Sequence, residues 1–187
     1  MPRVTQVRDP LEWTLTSQRP GLAGYLTAGC RTYLQPDGRE SDWDVLDGVP
    51  TVAVVALTDD EQGVLVRQFR PGPGRVLAEL PGGQVAEGET VEHAAARELL
   101  EETGYEAGSL EIAMCTYLAS YATHMRYAVL ARGCRRVGNP KPDPEEFLEP
   151  VALPLPEYVA HLLGGQLTDA GLGLAGLVAA GLLRRAV

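Results

Sequence analysis

A chain of 187 residues, 45% hydrophobic and 22% charged, is long enough to bury one sizeable core and has the make-up of a globular domain. Its formal net charge of −9 repels nucleic acid at long range and argues against non-specific DNA or RNA binding. An anionic small molecule stays admissible where bound cations reverse the local field. Cys30, Cys115 and Cys134 are odd in number and widely spaced. They match neither a disulfide framework nor a zinc pattern and read as free thiols of a reducing compartment.

In chain order, the segment up to Val49 holds short extended pieces, the clearest flanking the turn Pro36-Asp37-Gly38. Thr51 to Leu57 is a continuous β-branched and apolar run, the pattern of a strand buried on both faces. Asp59 to Gly63 is a turn, Val64 to Arg70 the returning strand, Pro71 to Gly74 a loop and Val76 to Leu80 a short strand. Thr90 is placed to cap a helix over residues 91–103, with Gly104 as its stop. Further strands are expected at Glu111 to Tyr117, Met125 to Ala131 and Phe147 to Leu153, the last two separated by a proline- and acid-rich loop. Helices are expected at Pro156 to Leu163 and Ala170 to Ala186, the second capped by Thr168 or Asp169. The opening residues lack the apolar run of a secretory signal. The longest apolar stretch, Ala170 to Leu183, is too short to span a bilayer and is broken by glycines. The expectation is a cytoplasmic α/β protein with no membrane partner, whose helices cover a mixed sheet.

The chemistry concentrates in Gly83 to Tyr105. On a helix, Glu98 and Glu102 are four apart and share a face that Glu101 adjoins. The like charges oppose one another, and Arg97, four before Glu101, offsets part of that cost. An oxygen-only cluster of this kind suits a hard divalent cation such as magnesium, which takes one or two protein carboxylates and leaves room for water and phosphate. The Pro81-Gly82-Gly83 turn lets backbone come close to such an ion. Ala95, Ala96 and Leu99 are expected to hold the helix against the sheet.

The complete spacing of Gly83, Glu89, Arg97, Glu98, Leu99, Glu101, Glu102 and Gly104 resembles the Nudix box. Tyr105 stands where the box has an aliphatic residue. The resemblance implies an α/β/α sandwich with a mixed β-sheet, here with a small N-terminal β extension (residues 1–49) before the hydrolase domain (50–187). It implies hydrolysis of a nucleoside diphosphate linked to another moiety, giving a nucleoside monophosphate. By the same match Glu98, Glu101 and Glu102 look like metal ligands, and Gly82 offers a backbone carbonyl. Glu89 is an accessory carboxylate, and Arg97 orients the glutamates. The implied cofactor is Mg2+, with Mn2+ or Zn2+ as substitutes.

Flanking motifs narrow the resemblance. Val66 to Pro71, Glu79 to Gly83, Pro36 to Arg39 and Glu145 to Glu149 are similar to the ADP-ribose pyrophosphatase branch. That branch implies a homodimer built through the N-terminal part and a loop acid as catalytic base, here Glu145 or Glu146, acting with Arg97 and Glu101. Arg67, Arg70, Glu79 and Trp43 are the candidate substrate contacts: the arginines for the diphosphate, Trp43 for a base. Residues three apart on a regular strand face opposite sides, so at most one of the two arginines points at the ligand. ADP-ribose hydrolases carry a proline beyond the box that Leu118 to His124 lacks, which leaves other nucleotide sugars open. Tyr121 and His124 lie in that stretch as further candidates for the pocket wall. The alternatives are a nucleotide sensor that keeps the fold without cutting, and a nucleoside triphosphate housecleaning pyrophosphatase. The intact set of glutamates argues against the sensor.

Overall fold

A computed structural model describes residues 9–18 and 27–183. Its elements are β1 (Thr27–Leu34), β2 (Glu40–Asp47), β3 (Thr51–Thr58), β4 (Gln62–Arg70), β5 (Arg75–Glu79), α1 (Val91–Thr103), β6 (Tyr105–Glu106), β7 (Ser109–Tyr117), β8 (Met125–Arg136), β9 (Leu148–Pro154), α2 (Leu155–Gly164) and α3 (Ala170–Ala179). Strands β3 to β9 form one seven-stranded sheet, and β1 and β2 pair separately. Within that sheet β3 and β8 run parallel and the other strand pairs are antiparallel, so the sheet is mixed.

Two apolar layers hold the helices to this sheet. Alternation along β3 sends Val52, Val54 and Ala56 to one face, where they meet Ala94, Ala95 and Leu99 of α1. It sends Ala53, Val55 and Leu57 to the other, where Tyr158 and Leu162 of α2 and Leu172 and Leu177 of α3 cover them. β3 is thus buried on both sides, as its unbroken apolar run requires, and the architecture is the expected α/β/α sandwich. The alanine pair against the sheet is Ala94 and Ala95 rather than Ala95 and Ala96.

Helix α1 has the bounds its local signals demand. Thr90 accepts a hydrogen bond from the His93 N–H at 3.2 Å, and Gly104 ends the helix at φ +75°. The expectation of a helix to Ala186 is corrected, because α3 stops at Ala179. Leu182 N–H bonds the Leu177 carbonyl and Gly181 N–H that of Val178, with Gly181 left-handed: a Schellman closure inside an apolar run. The last residues of the expected helix, 184–186, lie outside the described residues. Neither expected cap bonds α3's free N–H groups through its side chain: Asp169 pairs with Arg126, and Thr168 turns to Glu79. The described cysteines are all unpaired, and no helix among the described residues is long and apolar enough to cross a membrane.

Candidate active site

The segment after β5 brings the backbone to the helix. Val54 N–H bonds the Pro81 carbonyl and Val52 N–H bonds the Gly83 carbonyl, so residues 81–84 run along β3 as a partial strand. Backbone groups alternate in such a segment. Gly82 therefore turns its N–H and carbonyl the other way, and the N–H donates to Glu102 Oε2 at 2.8 Å. A Cβ at Gly82 would sit 2.1 Å from the Val52 carbonyl oxygen, and one at Gly83 2.3 Å from Glu98 Oε1. A side chain at Gly82 would collide with the β3 backbone and one at Gly83 would displace the Glu98 carboxylate, so the two glycines let backbone lie against the carboxylates of α1.

Arg97 organises the acids. Its Nε and Nη2 donate to the two oxygens of Glu89, each at 3.0 Å, and its Nη1 donates to Glu98 at 2.8 Å and Glu101 at 3.1 Å. Nη2 also bonds the Gln84 carbonyl at 2.9 Å. The Glu89 fork does most to hold the guanidinium charged, and the same contact keeps the Glu89 carboxyl below the usual range. Glu102 is in the opposite situation: 3% exposed, with the Gly82 N–H as its hydrogen-bond donor, it is pushed up to about 8 by burial. Burial also raises Glu98, against the pull of Arg97. The negative charge of Glu146 adds to both shifts.

These groups line a cleft of about 880 Å³ that also takes in Gln68 and Arg70 from β4 and residues 143–146 of the acidic loop. The structure thus brings together Gly82, Arg97, Glu98, Glu102, Arg70, Glu145 and Glu146, with Glu89 and Glu101 tied in through Arg97. Of the two loop acids, Glu146 is the one whose charge registers on Glu98 and Glu102. Its Oε2 accepts from the Asp143 N–H, which holds the side chain over its own turn. The Nε of Arg70 is buried and unbonded, 3.6 Å from Glu79, while its side chain is one third exposed toward the cleft.

Three expected substrate contacts lie elsewhere. Glu79 is fully buried and accepts hydrogen bonds from the N–H and hydroxyl of Thr168, so it fastens the segment before α3 and cannot reach a ligand. Arg67 points away from the cleft, as its offset from Arg70 requires, and is held by Asp9 and Glu149. Trp43, on β2, lines a separate groove with Tyr33 and Tyr121 beside the hairpin. That groove is slightly larger, about 910 Å³, but brings together no basic side chain or glutamate. His124 is packed under Gly48 with its Nδ1 buried and unbonded. A neighbour that sequence reasoning missed is Gln68, which shares Arg70's face by the same alternation and reaches the cleft.

Among the described residues no group of three or more acidic, histidine or cysteine side chains is gathered tightly enough to cage a cation as it stands, and Arg97 occupies one oxygen each of Glu98 and Glu101. The donor set nevertheless fits a hard divalent ion. Glu102 is a buried carboxylate that needs either a proton or a cation, Glu98 and the Gly82 carbonyl lie beside it, and all donors are oxygens.

The NUDIX domain model matches residues 48–170. The chain is 34% identical to the mouse (Mus musculus) "ADP-sugar pyrophosphatase" over 150 residues, 70% of this chain and 68% of that one. It is 31% identical to the "ADP-ribose pyrophosphatase" of Bacillus subtilis (strain 168) over 137 residues, 72% and 74% of the two chains. A crystal structure of an "ADP compounds hydrolase" superposes with a TM-score of 0.70 at 20% identity, covering 94% of this chain and all of that one, and shows a shared fold. With that fold, the cleft and a matching domain over most of its length, the chain belongs to the Nudix hydrolase family.

Proposed function

We propose that the protein hydrolyses the diphosphate of ADP-ribose or a related nucleotide sugar, in a reaction that depends on a divalent cation, to give a nucleoside monophosphate and a sugar phosphate. The observation that carries this reading is the joint lining of one cleft by Glu98, Glu102, the Gly82 backbone, Arg70 and Glu146. The names of the two pyrophosphatase relatives support the choice of substrate class.

Glu98, Glu102 and the Gly82 carbonyl would hold magnesium, or manganese or zinc in its place, with Glu101 and Glu89 close behind. A divalent cation bound there supplies neutralisation of the diphosphate charge and makes water a better nucleophile. The chain's own groups do the rest. Arg70 offers a guanidinium to a phosphate oxygen from the cleft wall, which an acidic site needs if an anion is to enter. Arg97 fixes the glutamates in register. Glu146 takes a proton from the attacking water as the new P–O bond forms and the bridging P–O bond breaks. Of the two loop acids, Glu146 is preferred because its charge is felt at Glu98 and Glu102.

A second copy of the chain is the natural partner for the β1–β2 hairpin. Every residue of β1 is exposed, Tyr33 and Leu34 among them, as is Trp43 of β2, and a two-stranded ribbon is marginal on its own.

The test is turnover. Purified protein incubated with ADP-ribose and a panel of nucleotide sugars releases nucleoside monophosphate with magnesium, manganese or zinc and not with EDTA, and Glu102→Gln abolishes release while keeping the fold. No turnover of any nucleoside diphosphate compound by folded protein with any of these ions rejects the proposal.

A further inference from the structure

Within the described N-terminal residues 9–18, Asp9 and Trp13 lie against the sheet on the side away from the cleft. Asp9 turns the chain there, its carbonyl accepting from Glu12 N–H and its Oδ1 from Leu11 N–H, each at 3.0 Å. Its other carboxylate oxygen binds Arg67 of β4, and Arg67 also binds Glu149 of β9, its direct cross-strand partner. Farther along, Trp13 stacks on Phe69 of β4 with centroids 5.3 Å apart and planes at 17°, and meets Phe147 edge-on at 6.4 Å and 88°. Arg67 and Phe69 are two apart on β4, and Phe147, immediately before β9, is two residues from Glu149. Each pair therefore shares a face, the one that carries Leu65, Val151, α2 and α3.

Phe147 follows Glu146 directly. Phe147, still 62% exposed, meets Trp13 on the far face of the sheet, and Glu146 stands in the cleft on the near face. The loop between β8 and these residues is tied to the end of α1 over its first part, by Val137 and Gly138 N–H to the Gly104 carbonyl and Lys141 N–H to the Glu101 carbonyl, but residues 143–146 are exposed, and their turn is closed within itself by Glu146 N–H to the Asp143 carbonyl and Asp143 N–H to Glu146. A backbone anchored at Phe147 has its preceding side chain aimed; a backbone released there does not.

We propose that Trp13 and Asp9 are positioning residues for the cleft: by clasping Phe147 and, through Arg67, Glu149 onto the far side of the sheet, they set where the Glu146 carboxylate stands on the near side. This rests on the reading of Glu146 as the acid that takes the proton from water. The clasp touches neither substrate nor reacting atoms, so it acts on the rate of the chemical step and not on capture of the nucleotide. A displacement of about 1 Å in a reacting group costs up to roughly 100-fold in rate.

The test combines kinetics with hydrogen exchange on the full chain. With ADP-ribose and magnesium, Trp13→Ala lowers kcat by roughly 10- to 100-fold with KM near the wild-type value, and Trp13→Phe, which keeps a stacked ring, recovers most of it. In the same variant, backbone amides of residues 140–148 exchange faster while those of α1 keep their protection, a readout that needs no substrate. Asp9→Asn, a milder change that keeps an oxygen for Leu11 N–H, moves both measures the same way by less and serves should Trp13→Ala fail to fold. Unchanged exchange at 140–148 in Trp13→Ala and Asp9→Asn overturns the clasp, as does exchange that rises equally over α1 and β3, which would make the segment a general brace. Full kcat in Glu146→Gln overturns instead the role given to Glu146, and with it the purpose assigned to the clasp.

Discussion

Every nitrogen of the Arg97 guanidinium donates to an oxygen beside the cleft: Nε and Nη2 to Glu89, Nη1 to Glu98 and Glu101, and Nη2 again to the Gln84 carbonyl. A planar fork can serve these directions at once; the single ammonium of a lysine cannot. Arg97→Lys is therefore expected to keep the fold, because the side chain is one third exposed and the helix caps are untouched. It is expected to lose roughly 10- to 100-fold in kcat/KM and to need more magnesium for half-maximal rate. Steady-state kinetics across a magnesium titration checks this, and a wild-type magnesium dependence in Arg97→Lys refutes it. The box residues were legible because their relations are local, spanning a few helical turns whose geometry a sequence dictates. Glu79 was not. It sits beside Pro81-Gly82-Gly83 and reads as a cleft residue, yet it is removed from solvent by Thr168, eighty-nine residues away. Arg67 gave half its answer, since alternation excluded it or Arg70 from the ligand but could not say which; Asp9, fifty-eight residues away, occupies it.

At the scale of elements, the same contrast separates α1 from α3. Thr90 and Gly104 mark the ends of α1 in the sequence, and both ends are as marked. In α3 the closing Gly181 stands in a run where apolar residues continue on both sides, so hydrophobic periodicity alone overshoots it. β6, two residues long, carries too few positions for any period to register. Gly104 also does more than stop a helix. Its carbonyl accepts from the N–H groups of Val137 and Gly138, and a Cβ there would lie 2.3 Å from the Gly138 carbonyl oxygen. Gly104→Ala thus meets a left-handed backbone and a backbone collision together. The expected loss is about 2–3 kcal/mol of unfolding free energy, read as a lowered urea midpoint with an unchanged slope. A midpoint equal to wild type would mean that the helix end can shift away from β8 without cost.

Across the whole molecule, the buried acids of the cleft are expected to tie stability to pH and, under the proposed function, to divalent ions. Glu102 has an ordinary value of 4.5 and is raised to about 8 in the fold by burial. Between those values the folded protein holds a proton that the unfolded chain has released. Stability of the metal-free protein therefore falls as pH rises through that window, by at most about 1.4 kcal/mol per pH unit from this group, and levels off above it. Glu98, also raised by burial, adds to the fall, whereas Glu89, lowered by Arg97, stabilises the fold above its ordinary value of 4.5 and loses that contribution as pH drops below it. A cation that binds the ionised carboxylates reverses the slope, because it binds the folded state in competition with protons. Thermal unfolding in EDTA is accordingly expected to drop by several degrees from pH 5 to about pH 8, and magnesium to stabilise more at the upper end of that range than at the lower. Glu102→Gln keeps an oxygen for the Gly82 N–H but carries no titrating group, so it flattens the metal-free slope and is more stable than wild type in EDTA near pH 8. Equal slopes in the two proteins would show that Glu102 is solvated and ionised in the fold, and would remove the physical reason for placing a cation beside it.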